Sequence, residues 1–241
     1  MTGLNIALIG YGKMGKTIEK IAKQRGHKIG LIIDIDQANN IGDLDSSLDV
    51  AIEFTRPEAA VENLSHCIRK QVPVVSGTTG WLDHFDEIKR LCLDKKSALF
   101  YASNYSIGVN IFFAVNQYLA KIMNSFPDYE PTINEIHHTQ KLDAPSGTAI
   151  TLGEGILKNI DRKNRWKNEP SEINSELEII SERIDDDPGT HIITYDSEVD
   201  YIKISHHAKS RQGFGLGAVM AAEWLVGKSG CFGMEDMLKI N

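Results

Sequence analysis

The densest group of chemically active side chains lies in the segment from Glu135 to Ala149. His137 and His138 end a predicted strand, and Lys141 follows after two further residues. A histidine titrates near neutral pH and, with a lysine beside it, can deliver a proton to a carbanion or enamine carbon created by hydride addition. Neighbouring side chains on a strand point to opposite faces, so only one of the two histidines can share a given set of partners unless the strand has already ended. The segment therefore predicts proton transfer at this strand end.

A binding site for an anion is predicted directly after these side chains. Ser146 is a favourable N-cap for a helix that begins near Gly147 and Thr148. The first backbone N–H groups of a helix have no partner within it, so those of Gly147 and Thr148 are free to bind a carboxylate. Lys141 would supply a counter-charge to the same group.

The paired histidines are also compatible with a metal site or with a solvated strand end. A metal site needs further ligands at suitable spacing. The other histidine pair, His206 and His207, lies on a different predicted strand. We therefore predict that the protein binds no metal.

A glycine-rich segment near the N-terminus has the spacing of a phosphate-binding loop. It follows a predicted strand, Leu4–Ile9, and opens a predicted helix over residues 14–25. Glycines permit the tight turn, the close approach of a pyrophosphate and close helix–strand packing, although three glycines could also serve only a turn. A carboxylate at the end of the second predicted strand can accept from ribose hydroxyls, which favours a dinucleotide site. The predicted contacts are Gly10, Tyr11, Gly12, Lys13, Met14, Gly15 and Asp34.

Two more loops follow later strands of the same predicted sheet. Ligands of open α/β sheets bind beyond the carboxyl ends of the strands, where the nicotinamide end of a dinucleotide would reach. Asn104 could bind a ligand there or cap the helix that follows it. The candidate residues are Gly77, Thr78, Thr79, Ala102, Ser103, Asn104 and Tyr105.

The elements that must position these residues are of two kinds. Strands and helices alternate through the first hundred residues, which predicts a parallel sheet covered by helices on both faces. After a helix over 107–123, period-two segments at 132–138, 176–183, 190–195 and 200–207 predict an antiparallel or mixed sheet. The predicted fold class is therefore α/β, with a Rossmann-type parallel-sheet domain and an α+β domain.

The chain is expected to return to its first domain near the C-terminus. Residues 217–227 are strongly apolar and must dock on a core. We expect residues 1–106 and 211–241 to form one discontinuous dinucleotide-binding domain and residues 107–210 to form the other domain. The polar segment 161–174 is expected to be an exposed loop.

Composition excludes several classes of protein. The 241 residues carry a net charge of −7, whereas a general nucleic-acid coat needs a basic face. Three scattered cysteines are too few for a disulfide framework, which favours a reducing cytoplasm. No apolar run reaches the ~18 residues that a membrane span requires.

The fifteen residues EIHHTQKLDAPSGTA, Glu135–Ala149, resemble the signature of the dihydrodipicolinate reductase (4-hydroxy-tetrahydrodipicolinate reductase) family. SGTTG, SNYSIGVN and SRQGFGLGAVMAAEWL agree with that family in order and spacing, so the resemblance covers nearly the whole chain. It implies reduction of the cyclic dicarboxylate 4-hydroxy-tetrahydrodipicolinate to tetrahydrodipicolinate by NADH or NADPH, in lysine and diaminopimelate biosynthesis. It also implies that residues 107–210 bind substrate and build a homotetramer.

The resemblance further implies roles for individual residues. The family's proton donor falls on His137 and its second catalytic group on Lys141. His138 takes the place of a contact with a substrate carboxylate, and Gly147 with Thr148 that of a backbone contact. The cofactor contacts fall on the loops named above.

One departure from the family pattern bears on the choice of cofactor. Many members carry an arginine directly after the ribose acid, but here Ile35 follows Asp34 and a second acid, Asp36, comes next. A carboxylate accepts from a ribose diol and repels a 2′-phosphate, although Lys13 and Lys16 could reach a phosphate as point charges. We expect both cofactors to be used, with NADH preferred.

Two other functions are compatible with parts of the sequence. A non-catalytic NAD(H) sensor would keep the glycine loop and Asp34 but would not need His137, Lys141 and the helix start at Ser146 together. A reductase of another small carboxylated imine or keto acid, such as an aspartate dehydrogenase-like enzyme, would have a different substrate site. The Glu135–Ala149 segment favours the dipicolinate interpretation.

Overall fold

A computed structural model describes residues 3–35, 40–210 and 212–240 of the chain. The fold has two units, one formed by Met1–Ile107 with Gln212–Asn241 and the other by Gly108–Arg211. No helix in the described ranges is long and apolar enough to cross a lipid bilayer. Asp36, the second acid after the expected ribose contact, and Arg211, at the expected domain boundary, lie outside the described residues.

The described ranges contain eleven strands and seven α-helices. The strands are β1 (Asn5–Ile9), β2 (Lys28–Ile33), β3 (Val50–Glu53), β4 (Val74–Ser76), β5 (Ala98–Tyr101), β6 (Glu130–His137), β7 (Arg165–Lys167), β8 (Glu176–Arg183), β9 (Thr190–Asp196), β10 (Tyr201–His207) and β11 (Gly230–Phe232). The helices are α1 (Lys13–Gln24), α2 (Pro57–Arg69), α3 (Phe85–Asp94), α4 (Ile107–Met123), α5 (Gly147–Leu157), α6 (Gln212–Leu225) and α7 (Met234–Leu238).

The first unit is built on a six-stranded sheet in the order β11-β5-β4-β3-β1-β2. Every neighbouring pair is parallel. The chain passes from β1 to β2 on one side and then adds β3, β4 and β5 on the other, so the direction of winding reverses between β1 and β3. A crevice forms at such a point beyond the carboxyl ends of the strands. The predicted Rossmann-type sheet is confirmed.

Helices cover both faces of this sheet because its strands carry apolar side chains on both sides. Neighbours on β3 show the division: Ile52 packs in the cluster that contains residues of α1 and α6, and Ala51 packs in the cluster that contains residues of α2 and α3. Successive strand residues point to opposite faces, so a continuous apolar run requires cover on each.

Two C-terminal elements were not predicted from the sequence. β11 adds to the sheet edge beside β5, and α7 follows it directly. A strand of three residues is too short to show a two-residue period, so only its pairing reveals it.

The second unit is a five-stranded mixed sheet in the order β10-β9-β6-β8-β7. β6 pairs parallel with β8 and antiparallel with β9. Alternate residues of β6 are buried, and Ile133 packs with residues of α4 and α5 in one core. The expected mixed sheet is therefore present, with β6 at its centre.

The polar segment 161–174 is not simply the exposed loop that its composition predicts. Residues 165–167 form β7, which pairs parallel with β8. Lys163 is buried, forms an ion pair with Glu130 and donates to the Glu176 carbonyl at 2.7 Å. Charged side chains here form ion pairs and hydrogen bonds at the edge of the sheet. Composition alone cannot distinguish such side chains from solvated ones.

A close approach of backbones fixes α6 against the loop after β5. A Cβ at Gly217 would lie 1.7 Å from the carbonyl oxygen of Tyr105. No side chain fits at that distance, so glycine is required there for packing and not for a special backbone angle.

We predict that Gly217→Ala destabilises the protein more than an ordinary overpacking substitution, for which ~1–3 kcal/mol is usual. Gly213→Ala, on the same helix as Gly217, is the matched control. A Cβ at Gly213 would lie 3.6 Å from Ser106 Oγ, which is an ordinary contact distance. Urea unfolding followed by circular dichroism measures both variants. Equal stability of the two variants would contradict the packing role of Gly217.

Candidate active site

A cavity of about 750 Å³ opens at the carboxyl edge of the first unit's sheet, where the winding reverses. Four of the predicted cofactor residues line it, namely Gly10, Tyr11, Gly12 and Asp34. Ile35 lines it too and is 82% exposed. The cavity lies where an open parallel sheet binds a nucleotide.

The glycines of the loop have separate physical reasons. Gly10 has φ +91°, and a Cβ there would lie 2.0 Å from the Phe54 carbonyl oxygen. A Cβ at Gly15 would lie 2.3 Å from the Gly10 carbonyl oxygen, whereas one at Gly12 would meet nothing within 4 Å. Gly10 and Gly15 thus allow the turn and the close packing of α1, and Gly12 leaves open space at the helix N-terminus.

Lys13 and Met14, the other two predicted contacts of the glycine loop, differ in exposure. Lys13 is exposed at the first position of α1. Met14 is half-buried and packs against the apolar core of the first unit. Lys13 is therefore the one of the two whose side chain is available to a ligand.

The two later loops are tied to each other beneath the edge of the sheet. Thr79 and Ser103 are exposed, whereas Thr78, Ala102 and Tyr105 are buried. The Tyr105 hydroxyl donates to the Ser76 carbonyl at 2.6 Å. The Tyr105 ring therefore holds the end of β4, and any ligand contact from this residue would come from its backbone.

Asn104 and Gly77 complete these loops. The Asn104 side-chain oxygen accepts from the Ser106 N–H at 2.9 Å, which is a capping contact at the start of α4. A Cβ at Gly77 would lie 2.2 Å from the Phe54 ring, so the loop rests directly on that ring.

In the second unit, His137 is the last residue of β6 and is held by a buried carboxylate. Its Nδ1 lies 2.5 Å from Glu135 Oε2. Glu135 is fully buried two residues earlier on the same strand face. Arg183, directly opposite His137 on β8, donates from Nη2 to Glu135 Oε1 at 3.0 Å and to the Asp143 carbonyl at 2.6 Å.

The Glu135 carboxyl is an anion in this setting. Burial raises its pKa, but hydrogen bonds from His137, Ser181 and Arg183, together with the His137 charge, outweigh that effect and hold the pKa well below its usual range. An anionic acceptor at Nδ1 fixes the orientation of the imidazole and leaves Nε2 as the nitrogen that can exchange a proton. A Cβ at Gly189 would lie 3.0 Å from that Nε2, so glycine keeps the space beside it open.

A second buried histidine lies against the first. The ring centroids of His137 and His191 are 5.2 Å apart in an edge-to-face arrangement, and His191 Nε2 is 3.1 Å from Ser146 Oγ. Burial, and after it the nearby His137 charge, lowers the pKa of His191 to about 4. His191 is therefore neutral at physiological pH and supports the start of α5 without adding charge.

Lys141 and His138 lie on the loop that follows β6. The Lys141 ammonium donates to both carboxylate oxygens of Asp143, at 2.7 and 2.8 Å. That ammonium, through hydrogen bonds and its charge, lowers the pKa of Asp143. The His138 N–H donates to the Asp187 carbonyl at 2.8 Å, and its carbonyl accepts from the Lys141 N–H at 3.0 Å. The loop is thus ordered by one hydrogen bond within it and by one to the segment between β8 and β9.

The start of α5 has the predicted capping geometry. Ser146 is the N-cap, and its side chain accepts from the Ala149 N–H at 3.2 Å. Gly147 is exposed, and a Cβ there would meet nothing within 4 Å, whereas Thr148 is half-buried. An unhindered helix N-terminus of this kind suits an anion.

The buried cluster also has the composition of a metal site. Glu135, His137 and His191 each offer one ligand atom, and these atoms lie within 4.8 Å of one another. The 2.5 Å between His137 Nδ1 and Glu135 Oε2 is a hydrogen-bond distance, and Arg183 already places a positive charge on the same carboxylate. The Arg183 guanidinium thus already occupies the carboxylate that a metal ion would need.

Sequence reasoning missed three residues of this cluster and four polar residues of the cavity. Glu135 had a signal, because a Glu-x-His pair on a strand of period two shares one face. Arg183 and His191 lie opposite His137 and Glu135 on neighbouring strands, and that register cannot be read from composition. The missed polar residues of the cavity are Asn40, Thr55, Arg56 and Asn63.

Comparison with known proteins gives one consistent result. The family profile "Dihydrodipicolinate reductase, N-terminus" matches residues 4–105, and "Dihydrodipicolinate reductase, C-terminus" matches residues 108–238. The 4-hydroxy-tetrahydrodipicolinate reductase of Christiangramia forsetii is 51% identical over 98% of both chains. That of Neisseria meningitidis serogroup B is 32% identical over 100% of this chain and 99% of its own.

A solved structure shows the same fold at lower identity. Dipicolinate-bound dihydrodipicolinate reductase from Paenisporosarcina sp. TG-14 superposes with a TM-score of 0.76 and 23% identity, covering 98% of this chain and 99% of its own.

The lowered pKa of His191 predicts a pH-dependent loss of stability. This histidine binds a proton near pH 6.5 when unfolded but only near pH 4 when folded, so the unfolded state gains protons first as the pH falls. Between pH 6.5 and pH 5 that linkage removes about 2 kcal/mol from the free energy of unfolding. We expect His191→Gln to lose less stability than the wild type over this interval in urea titrations.

The exposed His84 provides the control, since His84→Gln should follow the wild-type curve. An equally steep loss in His191→Gln and the wild type would show that His191 is not held neutral by the fold.

Proposed function

Because the chain belongs to the dihydrodipicolinate reductase family, we propose that its two sites carry out the family reaction with the residues named above. The enzyme is an oxidoreductase that reduces 4-hydroxy-tetrahydrodipicolinate with NADH or NADPH in lysine and diaminopimelate biosynthesis. The observation that carries the residue assignment is His137, fixed by a buried anionic Glu135 beside the N-terminus of α5.

The cavity of the first unit holds the dinucleotide. Glycines at positions 10, 12 and 15 leave backbone N–H groups of α1 open to the pyrophosphate, and Asp34 accepts from the adenosine ribose. The fit is supported by the cavity at the point of winding reversal and by the space around Gly12. A bound reduced nicotinamide supplies the hydride.

His137 supplies the proton that completes the reduction. Loss of the substrate's 4-hydroxyl as water, with a proton from the adjacent ring carbon, leaves a carbon–carbon double bond conjugated with the imine, and this double bond accepts the hydride at its far carbon. His137 then donates a proton from Nε2 to the carbon of the resulting enamine, while its Nδ1 stays paired with Glu135. The Glu135 anion stabilises the protonated imidazole before transfer and holds the ring in place. Lys141 is the second catalytic group, and it exchanges its Asp143 partner for the anionic substrate.

The substrate carboxylates are held by the start of α5 and by the loop after β6. The N–H groups of Gly147 and Thr148 bind one carboxylate, and His138 contacts a carboxylate from the loop. The support for this assignment is the unhindered N-terminus of α5 and the capping by Ser146, which leaves those N–H groups without an intrahelical partner.

The two units divide the work. Residues 1–106 with 211–241 bind the dinucleotide, and residues 107–210 bind the substrate and assemble a homotetramer in the cytoplasm. The half-buried Ile136, Ile180 and Ile192 lie on the face of the second sheet opposite its helix-covered core, which supports burial of that face between subunits.

The function is tested by following NADH oxidation with freshly generated 4-hydroxy-tetrahydrodipicolinate and with a panel of keto acids that includes oxaloacetate, each keto acid being supplied together with ammonium. Turnover of the cyclic substrate alone supports the proposal. Turnover of a keto acid alone would indicate an aspartate dehydrogenase-like enzyme, and NADH binding without turnover would indicate a sensor.

We expect His137→Ala and Lys141→Ala each to lower kcat about 100-fold or more, the usual loss for a positioned proton donor. The Kd for NADH should remain unchanged, because neither residue belongs to the cavity of the first unit. His138→Ala should act mainly on KM, as expected for a group that binds substrate and transition state alike. Steady-state kinetics and fluorescence titration measure these effects.

The control is Lys158→Ala at an exposed position after α5, which should keep wild-type kinetics. Wild-type turnover in both His137→Ala and Lys141→Ala would refute the catalytic assignment.

We expect NADH to be preferred over NADPH by about tenfold in kcat/KM, which is ~1.4 kcal/mol. Asp34 accepts from a ribose diol and repels a 2′-phosphate, and Ile35 offers no compensating charge. Asp34→Ala should lower kcat/KM for NADH, because the ribose contact is lost, and raise that for NADPH, because the repulsion of the 2′-phosphate is lost, so that the ratio falls to one or below. A wild-type ratio at or below one, at equal ionic strength, would mean that Lys13, Lys16 or Arg56 outweighs Asp34.

A further inference from the structure

Glu53 is a fully buried carboxylate that the reaction described above does not use. It is the last residue of β3, at the carboxyl edge of the first unit's sheet. Its Oε1 accepts from the Thr55 N–H at 3.1 Å, from the Thr55 hydroxyl and from the Thr78 hydroxyl at 2.7 Å. Its Oε2 accepts from the Ser76 hydroxyl at 2.7 Å. Four donors from two loops therefore converge on one side chain.

In these contacts, both carboxylate oxygens of Glu53 accept hydrogen bonds. The Thr78 hydroxyl donates to Glu53 and accepts from the Thr55 N–H at 2.8 Å, so its orientation is fixed from both sides. A carboxylate only accepts, whereas an amide would present N–H groups to one of these hydroxyls. Burying a polar side chain is costly unless its hydrogen-bonding capacity is met, and here donors on both oxygens meet it and hold the side chain in one position.

The network joins the segment after β3 to the segment after β4. Thr55 lines the cavity, and Gly77, which donates its N–H to the Glu53 carbonyl at 2.9 Å, rests on the Phe54 ring. Trp81 Nε1 donates to the Thr78 carbonyl at 2.8 Å from the far side of the same loop. The Gly77–Thr79 loop is thus held at its base by Glu53 and at its end by Trp81.

We propose that Glu53 is a positioning residue for hydride transfer, which fixes the Gly77–Thr79 loop and Thr55 so that the nicotinamide end of the dinucleotide is held in one orientation. This inference rests on the proposed function, because it takes that loop as the nicotinamide contact. The adenosine end lies farther from Glu53: Asp34 follows β2, and β1 lies between β2 and β3, the strand that ends at Glu53.

The test compares two ligands that share the adenosine diphosphate ribose portion. In Glu53→Gln, the Kd for NADH should rise about tenfold and kcat should fall about 10- to 100-fold, the scale for a misplaced reactant. The Kd for ADP-ribose, which lacks the nicotinamide, should stay within about twofold of the wild type. A purely structural role would weaken both ligands together. Glu62→Gln, exposed on α2, is the control and should match the wild type.

Each outcome decides the proposal. Equal weakening of NADH and ADP-ribose, or unchanged NADH binding and kcat, would overturn it. If Glu53→Gln does not fold, Glu53→Asp is tested instead, because it keeps the carboxyl group on a shorter side chain. Glu53→Asp should weaken NADH binding more than ADP-ribose binding, by a smaller factor than Glu53→Gln. Equal effects of Glu53→Asp on the two ligands would also overturn the proposal. The binding contrast needs no turnover, so failure of the proposed function would leave this test readable.

Discussion

The contact between the buried Glu135 carboxylate and His137 constrains everything around it in the second unit. A fully buried anion must be compensated, and the groups that compensate it come from different elements: His137 from β6 itself, Arg183 from β8 and the backbone N–H of Ser146 at 3.4 Å from the start of α5. The same carboxylate therefore sets the orientation of the imidazole, the place where α5 begins and the side of β8 that faces the site.

Two of the buried glutamates, Glu135 and Glu53, have different surroundings. Glu135 is met by an arginine and a histidine, so its charge is balanced and its pKa is lowered. Glu53 is met by three hydroxyls and an N–H group, which orient it without neutralising it. A histidine partner, which can gain or lose a proton, is suited to proton transfer. A set of neutral hydrogen-bond donors is suited to holding a loop in one position. The contacts of each carboxylate thus indicate its task.

The sequence predicted those features whose signal is local. The glycine loop, Asp34 and the Ser146 cap depend on neighbours within a few residues, and the structure places them at the sheet edge and at the helix start. The features it missed depend on pairing between distant strands. His191 meets Glu135 only because β9 is antiparallel to β6 in one register, and β7 becomes a strand only because β8 is beside it. Burial of the Tyr105 ring is similar, since its partner Ser76 belongs to another strand.

The two candidate sites differ in how closely their side chains are packed. The loops at the sheet edge of the first unit depend on missing side chains: a Cβ at Gly10, Gly15 or Gly77 would lie about 2 Å from a carbonyl oxygen or a ring atom. The Glu135–His137–His191 cluster depends on crowding, because the His137 ring is held between a buried carboxylate and a second imidazole. Added volume should therefore be tolerated least at the first site and removed volume least at the second. Backbone N–H groups at the start of a helix, such as α1, suit a phosphate group, which is common to many nucleotides. A packed cluster of titratable side chains, such as Glu135, His137 and His191, suits a single proton transfer.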